Sequence, residues 1–190
     1  YLYVATGSLN MADLATLLPA VGYGSPLVLT GFALLVVGLA VKTALFPVHT
    51  WQPDAYAESP DSVTAYISAV VSTAAAYALF RVVYAVFTPA FDAAVPFALD
   101  TLVVLASVSV VVGSVLAVLQ SDLKRMLAYS SVAQFGLVVA GFAVVNETAT
   151  LGGLVHLVGH GVMKAGLFVA VGALATVAGG RTVDDLAGMA

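Results

Sequence analysis

Five long apolar runs dominate this chain, and they constrain its fold more than anything else in it. They cover residues 26–46, 63–86, 101–119, 126–145 and 151–178. Each reaches roughly 20 residues, enough for a helix to cross a hydrocarbon core about 30 Å thick. Backbone in lipid must satisfy its own hydrogen bonds, so it crosses only as helix or as closed barrel. Barrel strands would alternate polar and apolar residues over short segments, whereas these runs are continuous. The expected fold class is therefore all-α, a polytopic transmembrane bundle. The composition agrees: 62% of residues are hydrophobic and 8% charged, with a mean hydropathy of +1.08. A soluble domain carries about 25% charged residues, and a core of this length could not hide so much apolar surface.

The same composition excludes several chemistries. There is no cysteine, which removes disulfides, thiolate nucleophiles and iron–sulfur ligation. A net charge of −4 argues against nucleic acid as a partner. No phosphate-binding glycine motif and no serine–histidine–acid constellation is readable, so neither a cofactor nor a catalytic residue is expected. The start, Tyr1-Leu-Tyr, is neither methionine nor a basic signal region, and the end, Leu186-Ala-Gly-Met-Ala190, has no tail. Residues 1–190 are accordingly read as a piece of one transmembrane domain from a longer protein.

The stretches between the runs differ in character. Residues 1–21 read as a loop and a short surface helix, with Ser8 or Asn10 as its cap. Residues 47–62 hold Pro47, Pro53 and Pro60 together with Asp54, Glu58 and Asp61, so they cannot form one continuous helix. A broken helix at a membrane boundary places free backbone groups and charges near a transport route. His49 and Trp51 read as interface anchors. Residues 87–99 read as a connector. The short turns at 120–125 and 146–150 join the later runs, and glycines at 179–180 stop the last one. Five spans alternate sides, which puts 46–62, 120–125 and 179–185 at one face and 86–100 and 146–150 at the other. Lys124, Arg125 and Arg181 share the first face, and the positive-inside rule makes it cytoplasmic, in the inner membrane of a cell.

The last run contains what an apolar helix should not. His156, His160 and Lys164 are spaced four apart and share one helical face. Ionisable groups at membrane depth are costly and mark ion or proton paths. A polar packing role is the bland alternative. His156-Leu-Val-Gly-His160 has the spacing of two metal ligands, but it lacks a third ligand and the glutamate of a His-Glu-x-x-His site. Bis-histidine haem would need histidines from different helices. A proton relay fits best, because histidine titrates near neutral pH and desolvated lysine can do the same. Lys42, inside the first run and four residues before Phe46-Pro47, is either a snorkelling lysine or a second proton-holding group. Pro47, Asp54 and Lys124 are candidate gate or access residues, although charges in a turn more often only anchor helices.

Three stretches resemble one known family. They are Lys42-Thr-Ala-Leu-Phe-Pro-Val-His-Thr-Trp-Gln-Pro-Asp-Ala-Tyr-Ala-Glu-Ser-Pro60, Ser121-Asp-Leu-Lys-Arg-Met-Leu-Ala-Tyr-Ser-Ser131 and His156-Leu-Val-Gly-His-Gly-Val-Met-Lys164-Ala. In that order they resemble the proton-translocating antiporter-like subunits of Mrp-type cation/proton antiporters, respiratory complex I and membrane-bound hydrogenases. The resemblance implies an inverted-repeat fold and a piece that starts after the sixth helix and ends after the eleventh. It implies that Lys42 is the central lysine of a broken helix and that His156, His160 and Lys164 link two half-channels. The expected partners are other membrane subunits, the lipid bilayer, protons, and Na⁺ or K⁺. Thr6-Gly-Ser-Leu-Asn-Met-Ala-Asp13 leans the reading toward the D-type member of the Mrp antiporters. The alternative is a proton-pumping subunit of an NADH:quinone oxidoreductase or hydrogenase, with the redox chemistry in other chains. One position departs from the family pattern: Thr73 stands where many members carry a lysine.

Overall fold

The computed structural model describes residues 1–187; the last residues of the stretch read as a cut end lie outside it. A short helix, Leu2–Thr6, precedes the amphipathic helix Met11–Val21. Asn10 caps the latter, its side chain accepting from the Ala12 amide. Five helices then have the length and apolarity to cross a membrane: Pro26–Thr43, Asp61–Phe87, Pro96–Val118, Leu123–Ala143 and Glu147–Ala178. They are called the first to fifth spans below.

Local chemistry sets their ends. The first span opens with Pro26 in its first turn, where the missing N–H is no loss. It stops at Thr43, three residues short of the expected boundary. Ala44 takes a left-handed conformation at φ 56°, and the residue before Pro47 is disfavoured in a helix. The expected break is present, but it contains a helix of its own, Trp51–Glu58. Pro53 is tolerated there because it lies in the first turn. The second span begins at Asp61 and contains two stretches of wider π-type turns, Ile67–Val71 and Val82–Phe87. The expected connector at 87–99 is shorter than its sequence suggested. It holds a short helix, Pro89–Ala94, and the third span already starts at Pro96.

The third and fourth spans approach most closely. A Cβ added at Gly113 would lie 2.6 Å from the Ala133 amide nitrogen, and one at Gly136 would lie 2.6 Å from the Ala106 carbonyl. Small residues thus let the two backbones touch, which is how helices gain contact in lipid. The fourth span is the most enclosed of the five, with the fifth and second spans packed around it.

The two ends of the bundle match the expected alternation. At one end Arg181 Nε donates to Asp122 at 2.6 Å, and Asp122 also caps the fourth span through the Arg125 amide. Lys124 reaches Ser59 and Asp61, and Arg125 pairs with Asp54. At the other end the Tyr23 hydroxyl donates to the Phe87 carbonyl at 2.7 Å. There the Tyr84 hydroxyl donates to the Phe142 carbonyl and meets Thr150 at 2.6 Å. An aromatic cluster of Tyr23, Phe32, Phe87 and Phe91 fills this second end.

Candidate functional site: a titratable row beside a broken helix

The fifth span is uninterrupted for 32 residues. Asn146 caps its start by accepting from the Thr148 and Ala149 amides, and Gly179, at φ 76°, ends it. Helical periodicity then fixes where His156, His160 and Lys164 point, inward against the fourth and second spans. His156 is half-buried, and its Nε2 lies 2.7 Å from Gln134 Oε1. His160 is fully buried, edge-on to Phe135 at 4.9 Å and 6.3 Å from His156 between ring centroids. Neither of its ring nitrogens has a hydrogen-bond partner among the described residues. Lys164 is 2% exposed and donates to the Leu127 carbonyl at 2.8 Å. Buried polar groups are nearly always satisfied, so a ring with two free nitrogens is the exception in this interior.

Gly161 lets the second span come close beside His160. A Cβ there would lie 2.9 Å from the Ala69 carbonyl and 3.4 Å from Thr73 Oγ1. Thr73 therefore faces the row, and its hydroxyl too is buried without a partner among the described residues. Lys42 lies on the other side of this span. It is exposed, in a groove of about 380 Å³ lined by Leu39, Tyr66, Val70, Val71 and Ala74. The structure thus brings His156, His160 and Lys164 together and leaves Lys42 apart, with the second span between.

The candidate gate residues divide. Pro47 sits in the loop of the break, where the Phe46 amide is held by Ser109 Oγ at 3.2 Å. Asp54 is exposed and paired only with Arg125 among the described residues. Lys124 is 2% exposed, donating to the Ser59 carbonyl at 2.5 Å and to Asp61 Oδ1 at 3.0 Å. Asp61 in turn packs against Gly172, where a Cβ would come within 2.8 Å of Oδ2. The geometry of Lys124 is that of a tie between the break and the fourth and fifth spans.

The two aromatic side chains expected at the interface differ in burial, and His49 does not fit that expectation. Trp51 is partly exposed, and its Nε1 donates at 2.8 Å to the Val41 carbonyl in the last turn of the first span. His49 is 5% exposed and lies between Phe46 and Tyr129. Burial pushes its pKa below the usual histidine range. Two features escape a reading of the sequence. Gln134 is one amide in an apolar run, and only the packing of two helices pairs it with His156. Gln52 and Tyr56 have i, i+4 spacing, which is a usable signal. Gln52 Nε2 donates to Tyr56 Oη at 2.8 Å, and Tyr56 Oη lies 2.9 Å from Ser72 Oγ. Burial raises the Tyr56 phenol above its normal pKa, with the Ser72 and Gln52 hydrogen bonds opposing.

Five apolar helices, an interrupted one at the end of the first, and a histidine–lysine row sealed inside define a polytopic membrane protein of the antiporter-like class. The chain belongs to the NADH:quinone oxidoreductase/Mrp antiporter transmembrane family, whose profile matches residues 1–190. It is 47% identical over 190 residues to the NADH-quinone oxidoreductase subunit N of Desulforudis audaxviator, covering all of this chain and 37% of that protein. Among solved structures it resembles a chain of the membrane-bound sulfane sulfur reductase, an archaeal respiratory membrane complex. That match has a TM-score of 0.87 and 33% identity, over 97% of this chain and 37% of the other. It also resembles a chain of the Mrp complex from Dietzia sp. DQ12-45-1b, with a TM-score of 0.79 and 31% identity over 91% and 31% of the two chains. The chain spans about a third of the length of the relatives it matches.

Proposed function

We propose that this chain is the proton-relaying part of a membrane subunit in a redox-driven complex of the NADH:quinone oxidoreductase type. It forms one portion of a single antiporter-like transmembrane domain, completed by other parts of a longer protein. The observation that carries the reading is the buried row. Lysine and histidine sealed into an apolar interior are costly and are retained where protons move. Lys164 holds a proton against the Leu127 carbonyl, and His160, with both nitrogens free, can accept at one and release at the other. His156 passes toward Gln134, and Lys42 holds a proton on the far side of the second span. Lys124 and Asp54 fix the broken helix, and Pro47 marks its joint. The 47% identity to a subunit N supports the redox-driven setting over an antiporter driven by an ion gradient.

A cation/proton antiporter of the Mrp type, exchanging Na⁺ or K⁺, is the second reading, favoured by the structural likeness to the Mrp complex. Genes for iron–sulfur and quinone-site subunits beside this one would support the first, and small antiporter subunits the second. In either setting the partners are further membrane subunits. The basic residues Lys124, Arg125 and Arg181 support placing their end of the bundle in the cytoplasm, with the protein in the inner membrane. The test is Lys42→Ala and Lys164→Ala in the full-length protein within its complex. Proton transport falls in both; wild-type transport in both variants would overturn the assignment.

A further inference from the structure

The second span separates Lys42 from the row, and between Asp61 and Arg81 its only titratable side chains are the phenols of Tyr66 and Tyr77. A buried hydroxyl chain lies at that place. Gln52 is fully buried in the broken-helix segment and donates to Tyr56 Oη, so the phenol's own proton is free to go to Ser72 Oγ. Tyr56 and Ser72 are each 1% exposed. Ser72 follows directly on the π-type stretch Ile67–Val71, a local widening that recurs at functional positions in helices. Its neighbour on one side, Val71, lines the Lys42 groove; its neighbour on the other, Thr73, faces Gly161 beside His160. The Tyr56 ring packs edge-on against Phe168 at 5.6 Å, one turn beyond Lys164 on the fifth span. The Gln52 Oε1 atom has no partner among the described residues, so the amide can turn over and accept from Tyr56 instead.

We propose that the Tyr56–Ser72 hydroxyl pair, steered by Gln52, is the proton-passing connection between the Lys42 side and the His160–Lys164 side. This rests on the proton-relay reading above. A hydroxyl passes a proton by accepting one on its oxygen while giving up its own. A proton reaching Tyr56 Oη therefore displaces the phenolic proton to Ser72 Oγ, which releases its own toward the row, and both groups end neutral. Rotation of the two hydroxyls and of the Gln52 amide resets the direction. Neither hydroxyl has to ionise persistently, so the connection works without a lysine at position 73.

The experiment measures proton transport per assembled complex in membrane vesicles carrying the full-length protein. Tyr56→Phe removes the hydroxyl and keeps the ring on Phe168; Ser72→Ala removes the second hydroxyl; Ser72→Thr keeps it. The first two lower the rate about tenfold or more, below the full range of what a proton-transfer group contributes. Ser72→Thr stays within about twofold of wild type, and the double variant is no slower than either single, as for members of one unit. Wild-type rates in Tyr56→Phe and Ser72→Ala, with Lys164→Ala inactive, would overturn the connection and leave the relay reading standing. Additive losses in the double variant would also overturn it, because independent packing defects add. Wild-type transport in Lys164→Ala would instead remove the relay reading itself.

Discussion

Two lysines fall inside the apolar runs of the sequence, Lys42 and Lys164; they look alike there and differ completely in their surroundings. Each lies inside a hydrophobic run, and each has a conspicuous neighbour: Pro47 lies five residues beyond Lys42, and His160 four before Lys164. Lys164 is sealed between the fourth and fifth spans with a fixed acceptor, the Leu127 carbonyl. Lys42 is exposed in a groove of mostly aliphatic side chains. One lysine has its environment built by these five helices. The other faces outward, and a charge cannot stay against lipid cheaply. The contrast shows that identical residues in similar runs become a packed component and an open one according to which helix face meets a neighbour.

Substitutions can break this contrast. The largest effect is on transport: Lys164→Ala and Lys42→Ala should each cost roughly a hundredfold in proton flux through the assembled complex, measured by pH-dye quenching in vesicles. Equal flux in wild type and both variants would remove the basis for comparing them. The arginine variants separate the two sites further. Lys164→Arg forces a larger, permanently charged group into a closed space and should lower stability by about 1–3 kcal/mol. Lys42→Arg, in an open groove, should stay within about 0.5 kcal/mol. Thermal unfolding of the purified full-length protein reads both, and equal midpoints would erase the difference in packing.

Two glycines provide the same contrast without charge. Gly161→Val drives a side chain into the Ala69 carbonyl beside His160 and should cost about 1–3 kcal/mol in the same melts. Gly38→Ala, one turn before Lys42 with none of the described residues within 4 Å of its would-be Cβ, should be neutral or stabilise by up to about 1 kcal/mol. A loss at Gly38 as large as at Gly161 would mean that the groove face is packed after all. The last contrast is between the ion pairs at the broken-helix end. Lys124→Met removes the ammonium donor from the Ser59 carbonyl and from Asp61 and should cost about 1–3 kcal/mol. Arg125→Ala, in an exposed pair with Asp54, should cost under about 1 kcal/mol. The ratio of the two midpoint shifts is the measurement; a larger shift for Arg125→Ala would reverse the ranking.

Much of the architecture is legible in the sequence alone. Length and continuity of apolar runs are one-dimensional properties, so the five spans and their alternation can be read directly. Span ends shift by a few residues, because they depend on single turns such as Ala44 and on helix growth into polar caps such as Asn146. The grouping of His156, His160 and Lys164 is legible because one helix carries all three at a fixed period. The Gln134 partner, the burial of His49 and Lys124, and the Gln52–Tyr56–Ser72 chain are not. Each joins residues from separate elements, and spacing along the chain does not encode which helix faces which.

Neighbouring residues alone make the chain a set of membrane-crossing helices, break one of them near Pro47 and run a titratable row down the last. Those outcomes follow from hydrophobicity, proline geometry and helical period, which act on neighbours in the chain. Helix packing settles which lysine is enclosed, which hydroxyls meet, and that the second span stands between Lys42 and the row. Those outcomes depend on close approach at glycines such as Gly161, Gly113 and Gly136, where two backbones settle against each other and every side chain between them must find its place.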